Sequence, residues 1–203
     1  MKRRVLWIIA ACVVVAVALA AVLGARVAGR PEAAEVIGGP FQLVDQSGRS
    51  VDESLLKGKW NAVFFGFTHC PDVCPTTLYG LAQTQEQLGR RARDFGVVLI
   101  SVDPVRDTPA QMALYLSNPA FPKGAIGLTG TPAQAASVAK AYRVYHQESA
   151  HADGHMQMDH STVTYLMNPK GRFVCALPMG LTPEQTAERV GKAMRQGPAA
   201  RNC

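Results

Sequence analysis

From Phe41 onward, short apolar runs alternate with amphipathic segments, the pattern of strands and helices taking turns. FQLVD (41–45) and RSVDE (49–53) flank Gln46-Ser47-Gly48 and predict a hairpin. NAVFFGF (61–67) is almost continuously apolar, as a central strand buried on both faces should be, and VVLISVD (97–103) is a second such run. TVTYLMN (162–168) and RFVCALP (172–178), joined through Pro169-Lys170-Gly171, predict another hairpin. TPAQ at 108–111, TPAQ at 131–134 and TPEQ at 182–185 each offer a Thr N-cap, a Pro at the first helical position and a Gln that can reach back to the cap. CPTT at 74–77 imitates the pattern with cysteine at the cap and predicts a helix through about Arg93. The fold class is α/β.

The N-terminus has a different pattern. Val5–Ala25 is a run of 21 residues without a charge or a proline, long enough to cross a bilayer as a helix. Lys2, Arg3 and Arg4 ahead of it should stay in the cytoplasm, which puts the rest of the chain outside. The run exceeds a typical signal core, so an uncleaved single-pass anchor is the reading taken; a signal cleaved near Ala18-Leu19-Ala20 is the alternative. The resulting layout is an anchor over 1–25, a Gly-, Ala- and Pro-rich linker over 26–40, a domain over 41–197 and a tail over 198–203.

Composition changes this picture little. At 48% apolar residues the chain of 203 can bury a core. The net charge of +6 suggests an acidic partner, but five of the 21 basic residues precede the first acidic one, Glu32, leaving 16 basic against 15 acidic beyond Arg30. A nearly neutral domain without a basic stripe lacks the footprint of nucleic-acid binding.

Export makes the cysteines informative, because thiols outside the cytosol tend to pair, and Cys70 and Cys74 alone lie close in sequence. A helix N-terminus stabilises a thiolate, so both sulfurs should be poised to react or to bind metal. A plain structural disulfide is a third possibility, although closing so short a loop removes little chain entropy. A thioredoxin-type oxidoreductase would have two residues between its cysteines and usually a cis-proline before the following strand. Here three residues intervene, and MDHS (158–161) precedes that strand. An imidazole facing two thiolates makes an S₂N set, which suits Cu(I), Zn and Cu(II).

These motifs together resemble the Sco/SenC family of membrane-tethered, thioredoxin-fold copper proteins that help build the binuclear copper centre of cytochrome c oxidase. The resemblance runs from about Phe41 to Arg195 and rests on FGFTHCPDVCPTTL, SVDPVRDTP and DHSTVTYLMNPKGRF. It implies a thioredoxin-like fold and copper, Cu(I) or Cu(II), held by Cys70, Cys74 and His160. It also implies a redox-active Cys70/Cys74 pair. Asp72 would lie near the metal without binding it, and Asp159 would orient His160 or start a turn. The implied partner is the copper-site subunit of the oxidase, with other copper chaperones or a thioredoxin-like reductant besides. The implied location is the bacterial inner membrane, with the domain in the periplasm or otherwise outside the cytoplasm. A membrane-bound thiol-disulfide oxidoreductase or peroxide-handling relative is the alternative.

Asp103 and Asp107 read as strand-end and cap residues. Cys175 reads as a small buried hydrophobe, Cys203 as a thiol on a frayed tail, and His69 as a residue facing away from the site. Residues 146–160, HQESAHADGHMQMDH, hold four of the five histidines and two of the seven methionines. They read as a solvated loop or as a weak copper-capturing site built from His146, His151, His155, Met156 and Met158.

Overall fold

The chain divides into two units, Met1–Val36 and Ile37–Cys203. The computed structural model describes Trp7, Val15, residues 37–144, the backbones of His146–Ala150 and Met156–His160, and residues 163–203. Trp7 and Val15 are helical and exposed. The rest of the expected anchor over 1–25 lies outside the described residues. Among the described residues no helix is long and apolar enough to cross a membrane.

In the second unit, β1 (Gln42–Asp45) and β2 (Ser50–Asp52) form the first hairpin. β3 (Trp60–Gly66), α1 (Val73–Leu88), β4 (Phe95–Ser101), α2 (Pro109–Leu116), β5 (Ile126–Thr129) and α3 (Pro132–Ala141) follow. β6 (His146–Ala150) and β7 (Met156–His160) come next, then β8 (Thr164–Met167), β9 (Phe173–Leu177) and α4 (Pro183–Gln196). Seven strands form one mixed sheet in the order β2-β1-β5-β4-β3-β8-β9. β3 lies between β4, which is parallel to it, and β8, which is antiparallel.

The apolar run at 61–67 becomes a central strand because both of its faces are covered. Trp60, Ala62 and Phe64 pack with Phe95, Val97 and Leu99 under α1 and α4, which contribute Leu78, Leu81, Val190 and Ala193. The alternate residues Val63 and Phe65 pack with Val98 and Ile100 against Val138, Ala139 and Tyr142, in and just after α3. Strand alternation thus sorts one apolar sequence into two cores. Each fully buried aliphatic or aromatic side chain contributes about 1.5–3 kcal/mol.

All three Thr-Pro signals start helices. Thr131 and Thr182 close complete capping boxes with Gln134 and Gln185, and Thr108 accepts from the Gln111 N–H. The fourth start differs from expectation. α1 begins at Val73 with Asp72 as its cap, Cys74 is the second helical residue, and the α-helix ends at Leu88 with a 3₁₀ stretch, Gly89–Asp94, beyond it. The compact unit also starts earlier than the expected boundary at Phe41, because the Gly38 N–H donates to the Ala141 carbonyl at 3.0 Å. Gly38 takes φ +91° there, against Tyr142 and Met167. Residues 146–160, read as a loop, contain two paired strands, β6 and β7; within them His151 and His155 lie outside the described residues.

The C-terminus is not a frayed tail. Cys203 is joined to Cys175 by a disulfide across a separation of 28 residues, Ala200 is buried, and the Asn168 side chain donates to the Pro198 carbonyl. Cys175 and Cys203 are therefore one staple rather than a buried hydrophobe and a loose thiol. Cutting it with Cys203→Ser should lower unfolding stability by about 3–4 kcal/mol, from the entropy of a loop of this length. Urea denaturation of the oxidised protein checks this, and a loss below 1 kcal/mol would contradict it.

Candidate metal centre

β3 and β4 are parallel neighbours, so the chain between them must cross one face of the sheet, and α1 makes the crossing. The helix N-terminus therefore stands at the carboxyl end of β3, the end at which open α/β sheets place their ligand sites. Residues 67–72 connect the two and carry Cys70.

Local chemistry shapes this connection. The Cys70 N–H donates to the Phe67 carbonyl at 3.2 Å, making a tight turn. Asp72 is exposed; its carbonyl accepts the Thr76 N–H at 3.1 Å and its carboxylate accepts the Thr76 hydroxyl at 3.2 Å. First-turn N–H groups of a helix have no partner within the helix, and Pro75 has none to satisfy. The Cys74 N–H finds its partner in Cys70 Sγ, 3.4 Å away.

The two thiols are not joined by a disulfide, are hydrogen-bonded to each other, and are unequal. Cys70 is half-buried, whereas Cys74 is 1% exposed. A Cβ on Gly66 would lie 2.6 Å from Cys74 Sγ, so the absence of a side chain at 66 makes room for the sulfur. The hydrogen bond with Cys70 and then burial push the Cys74 thiol far above the ordinary thiol range, with only partial relief from a hydrogen bond to the Phe67 backbone. The expectation that the helix terminus lowers both thiols does not hold for Cys74, which the neighbouring sulfur and then desolvation push up. Of the two sulfurs, Cys70 is the one that solvent reaches.

Tyr115, on α2, has its hydroxyl buried without a hydrogen-bond partner among the described residues. Burial, and then the proximity of Cys74 and Cys70, push this phenol above its usual range, so it stays protonated. His69 is half-exposed, with Nδ1 at 3.1 Å from the Thr68 hydroxyl. Asp103 pairs with Arg106, whose guanidinium lies over the Phe67 ring, and is no ligand in this arrangement. Asp107 does not cap α2, which Thr108 does; it is fully buried and bonds Thr68 and Ser101. The reading of 107 as a cap residue missed this because the contact spans 39 residues.

His160 ends β7, directly opposite His146 in the β6–β7 register, and its side chain lies outside the described residues. Chain geometry limits its distance from the thiols. Val163 and Thr164 line one small cavity with Cys74, Val73 and Thr77, and three residues reach at most about 11 Å. Among the described residues no group of three or more His, Cys, Asp or Glu is placed to hold a metal ion. The described donors are the two sulfurs, and soft sulfur donors fit a soft ion such as Cu(I).

Comparison with known proteins adds the family. The profile of the SCO1/SenC family matches residues 29–195. "Protein SCO1 homolog 1, mitochondrial" of Arabidopsis thaliana is 42% identical over 161 residues, which are 79% of this chain and 48% of that protein. The chain thus matches about half the length of that relative. A Bradyrhizobium japonicum ScoI structure with copper bound is 47% identical with a TM-score of 0.68, covering 75% of this chain and 96% of the other. An Arabidopsis thaliana ScoI structure with copper bound is 42% identical with a TM-score of 0.74, covering 79% and 99%.

The inequality of the thiols has a direct readout. Limiting iodoacetamide on the reduced protein, with peptide mapping, should label Cys70 at least about 10-fold faster than Cys74, because the thiolate is the nucleophile and Cys74 is buried. Equal labelling, or Cys74 first, would contradict the assignment.

Proposed function

The chain belongs to the SCO1/SenC family, and from that membership and the dithiol at the head of α1 we propose that it is a copper chaperone for cytochrome c oxidase. Copper is its cargo. Cys70, Cys74 and His160 hold the ion and pass it to the copper-site subunit of the oxidase. The observation that carries the reading is the juxtaposed Cys70/Cys74 pair at a helix N-terminus, where the Cys74 N–H donates to Cys70 Sγ and one sulfur is half-exposed for exchange. Copper-bound relatives of 47% and 42% identity support it.

In this reading Cys70 meets the incoming ion first. Cys74 releases its proton only when the ion replaces it, so loading frees a proton and becomes easier as pH rises. The imidazole of His160 completes an S₂N set that accommodates Cu(II) as well as Cu(I). His146, His151, His155, Met156 and Met158, in the segment that leads to His160, serve as a weak capturing site ahead of the dithiol. The domain works outside the cytoplasm, tethered by the apolar N-terminal run.

The same pair supports a second activity. A half-exposed sulfur beside a buried one is the arrangement of an attacking and a resolving thiol. Attack on a partner disulfide and resolution by Cys74 would leave a Cys70–Cys74 disulfide and two reduced thiols on the partner. That oxidation removes the thiolates that hold copper, so redox state gates loading.

Anaerobic Cu(I) competition titration tests the proposal. The parent should bind one copper tightly. Cys70→Ser and Cys74→Ser should each lose more affinity than the roughly 10–100-fold that outer-shell changes cost. His160→Ala should weaken Cu(II) more than Cu(I), because two thiolates can hold Cu(I) alone. Full affinity in both cysteine variants would overturn the assignment of the site, and a parent that binds no copper would leave the reductase activity as the function.

A further inference from the structure

The sulfur geometry depends on the chain from Phe67 to Asp72, which has left the sheet at Gly66 and has not yet entered α1. One buried side chain holds its start. The Asp107 carboxylate is fully buried. It accepts the Thr68 N–H on both oxygens, at 3.2 Å each, and the Thr68 hydroxyl on Oδ1 at 2.7 Å. Oδ2 also accepts the Ser101 hydroxyl at 2.6 Å. The Ser101 oxygen in turn accepts the Asp103 N–H at 3.0 Å. A single carboxylate therefore joins the segment after β3, the last residue of β4 and the segment before α2.

Among the described residues no Lys or Arg pairs with this carboxylate. Thr108 caps α2 by itself, and Arg106 is engaged with Asp103. The nearest cationic candidate, His69, keeps Nδ1 3.9 Å from Oδ1. Burying a carboxylate is costly unless donors surround it, and here they do. The donors also explain the residue type. A carboxylate accepts on both oxygens, whereas an amide would turn an NH₂ group toward one of these N–H or O–H donors.

We infer that Asp107 is the positioning residue of the dithiol: by fixing Thr68 it sets the turn that places Cys70 Sγ in front of the Cys74 N–H. The metal readout of this inference rests on the proposed copper site, whereas its redox readout does not.

The test uses the full-length protein and three substitutions. Asp107→Asn puts an amide among the donors, Thr68→Val removes one hydroxyl while keeping the N–H, and Ser101→Ala removes the other. Copper affinity, the Cu(II)–thiolate charge-transfer band and the equilibrium with glutathione disulfide are measured for each. In that equilibrium the dithiol gives two protons and two electrons, yielding one protein disulfide and two glutathiones. Asp107→Asn and Thr68→Val should lose copper affinity by about 10–100-fold with a shifted band, the cost usual for an outer-shell partner. Their dithiol equilibrium constants should move in the same variants. Leu88→Ala, buried at the end of α1 away from the dithiol, controls for destabilisation alone and should leave band and equilibrium unchanged.

If the parent binds copper but all three variants keep its affinity, band and equilibrium within twofold, Asp107 is an ordinary structural residue. If the parent binds no copper, the copper reading fails and the glutathione equilibrium decides the inference by itself. Should Asp107→Asn fail to fold, Thr68→Val and Ser101→Ala decide it by the same readouts.

Discussion

The site depends first on how closely the opening turn of α1 packs against the end of β3. Cys74 Sγ occupies space that a side chain at position 66 would fill, with Leu99 and Phe64 closing the rest. Interiors are packed densely enough that such a contact leaves little freedom. It fixes where the helix begins relative to the sheet and keeps one sulfur dry. The other sulfur, four residues back and across the helix end, stays half-buried at the surface.

That inequality joins the two chemistries assigned to the pair. Two equally exposed thiols at a helix terminus would oxidise readily and hold metal only while reduced. The hydrogen bond with Cys70, and then burial, favour the protonated form of Cys74, while Cys70 stays within reach of solvent. A soft ion or a disulfide bond then compete for the same two atoms, and the surrounding groups tune the competition. Asp107 holds the loop from behind, and the Tyr115 hydroxyl waits in the core without a partner among the described residues. The Cys175–Cys203 staple uses separate sulfurs and takes no part in that competition.

Much of this was legible along the chain, for local reasons. Continuous apolar runs mark strands covered on both faces, and Thr-Pro-x-Gln marks helix starts, because each signal acts over a few residues. Cys70 and Cys74 stood out by spacing alone. What stayed hidden depends on distance. Nothing near Cys175 or Cys203 shows that they meet across 28 residues. Cys74 is raised by its hydrogen bond with Cys70 and then by burial, in space that Gly66 leaves open only once strand and helix pack. Asp107 carries the turn chemistry of its neighbours, and only the fold brings Thr68 and Ser101 to its oxygens. Helix α1 started earlier than CPTT suggested because Asp72 offers both a carbonyl and a carboxylate to Thr76, and cysteine does not displace it as the cap.

The central claim is that copper sits on the two sulfurs at the head of α1. X-ray absorption at the copper edge, recorded on the full chain loaded with one equivalent of Cu(I), tests this most directly. The account predicts a first shell dominated by two thiolate sulfurs with an imidazole nitrogen, and loss of the sulfur scattering when Cys70 and Cys74 are both replaced by serine. A first shell of nitrogen and oxygen alone, or sulfur scattering that survives replacement of both cysteines, would contradict it.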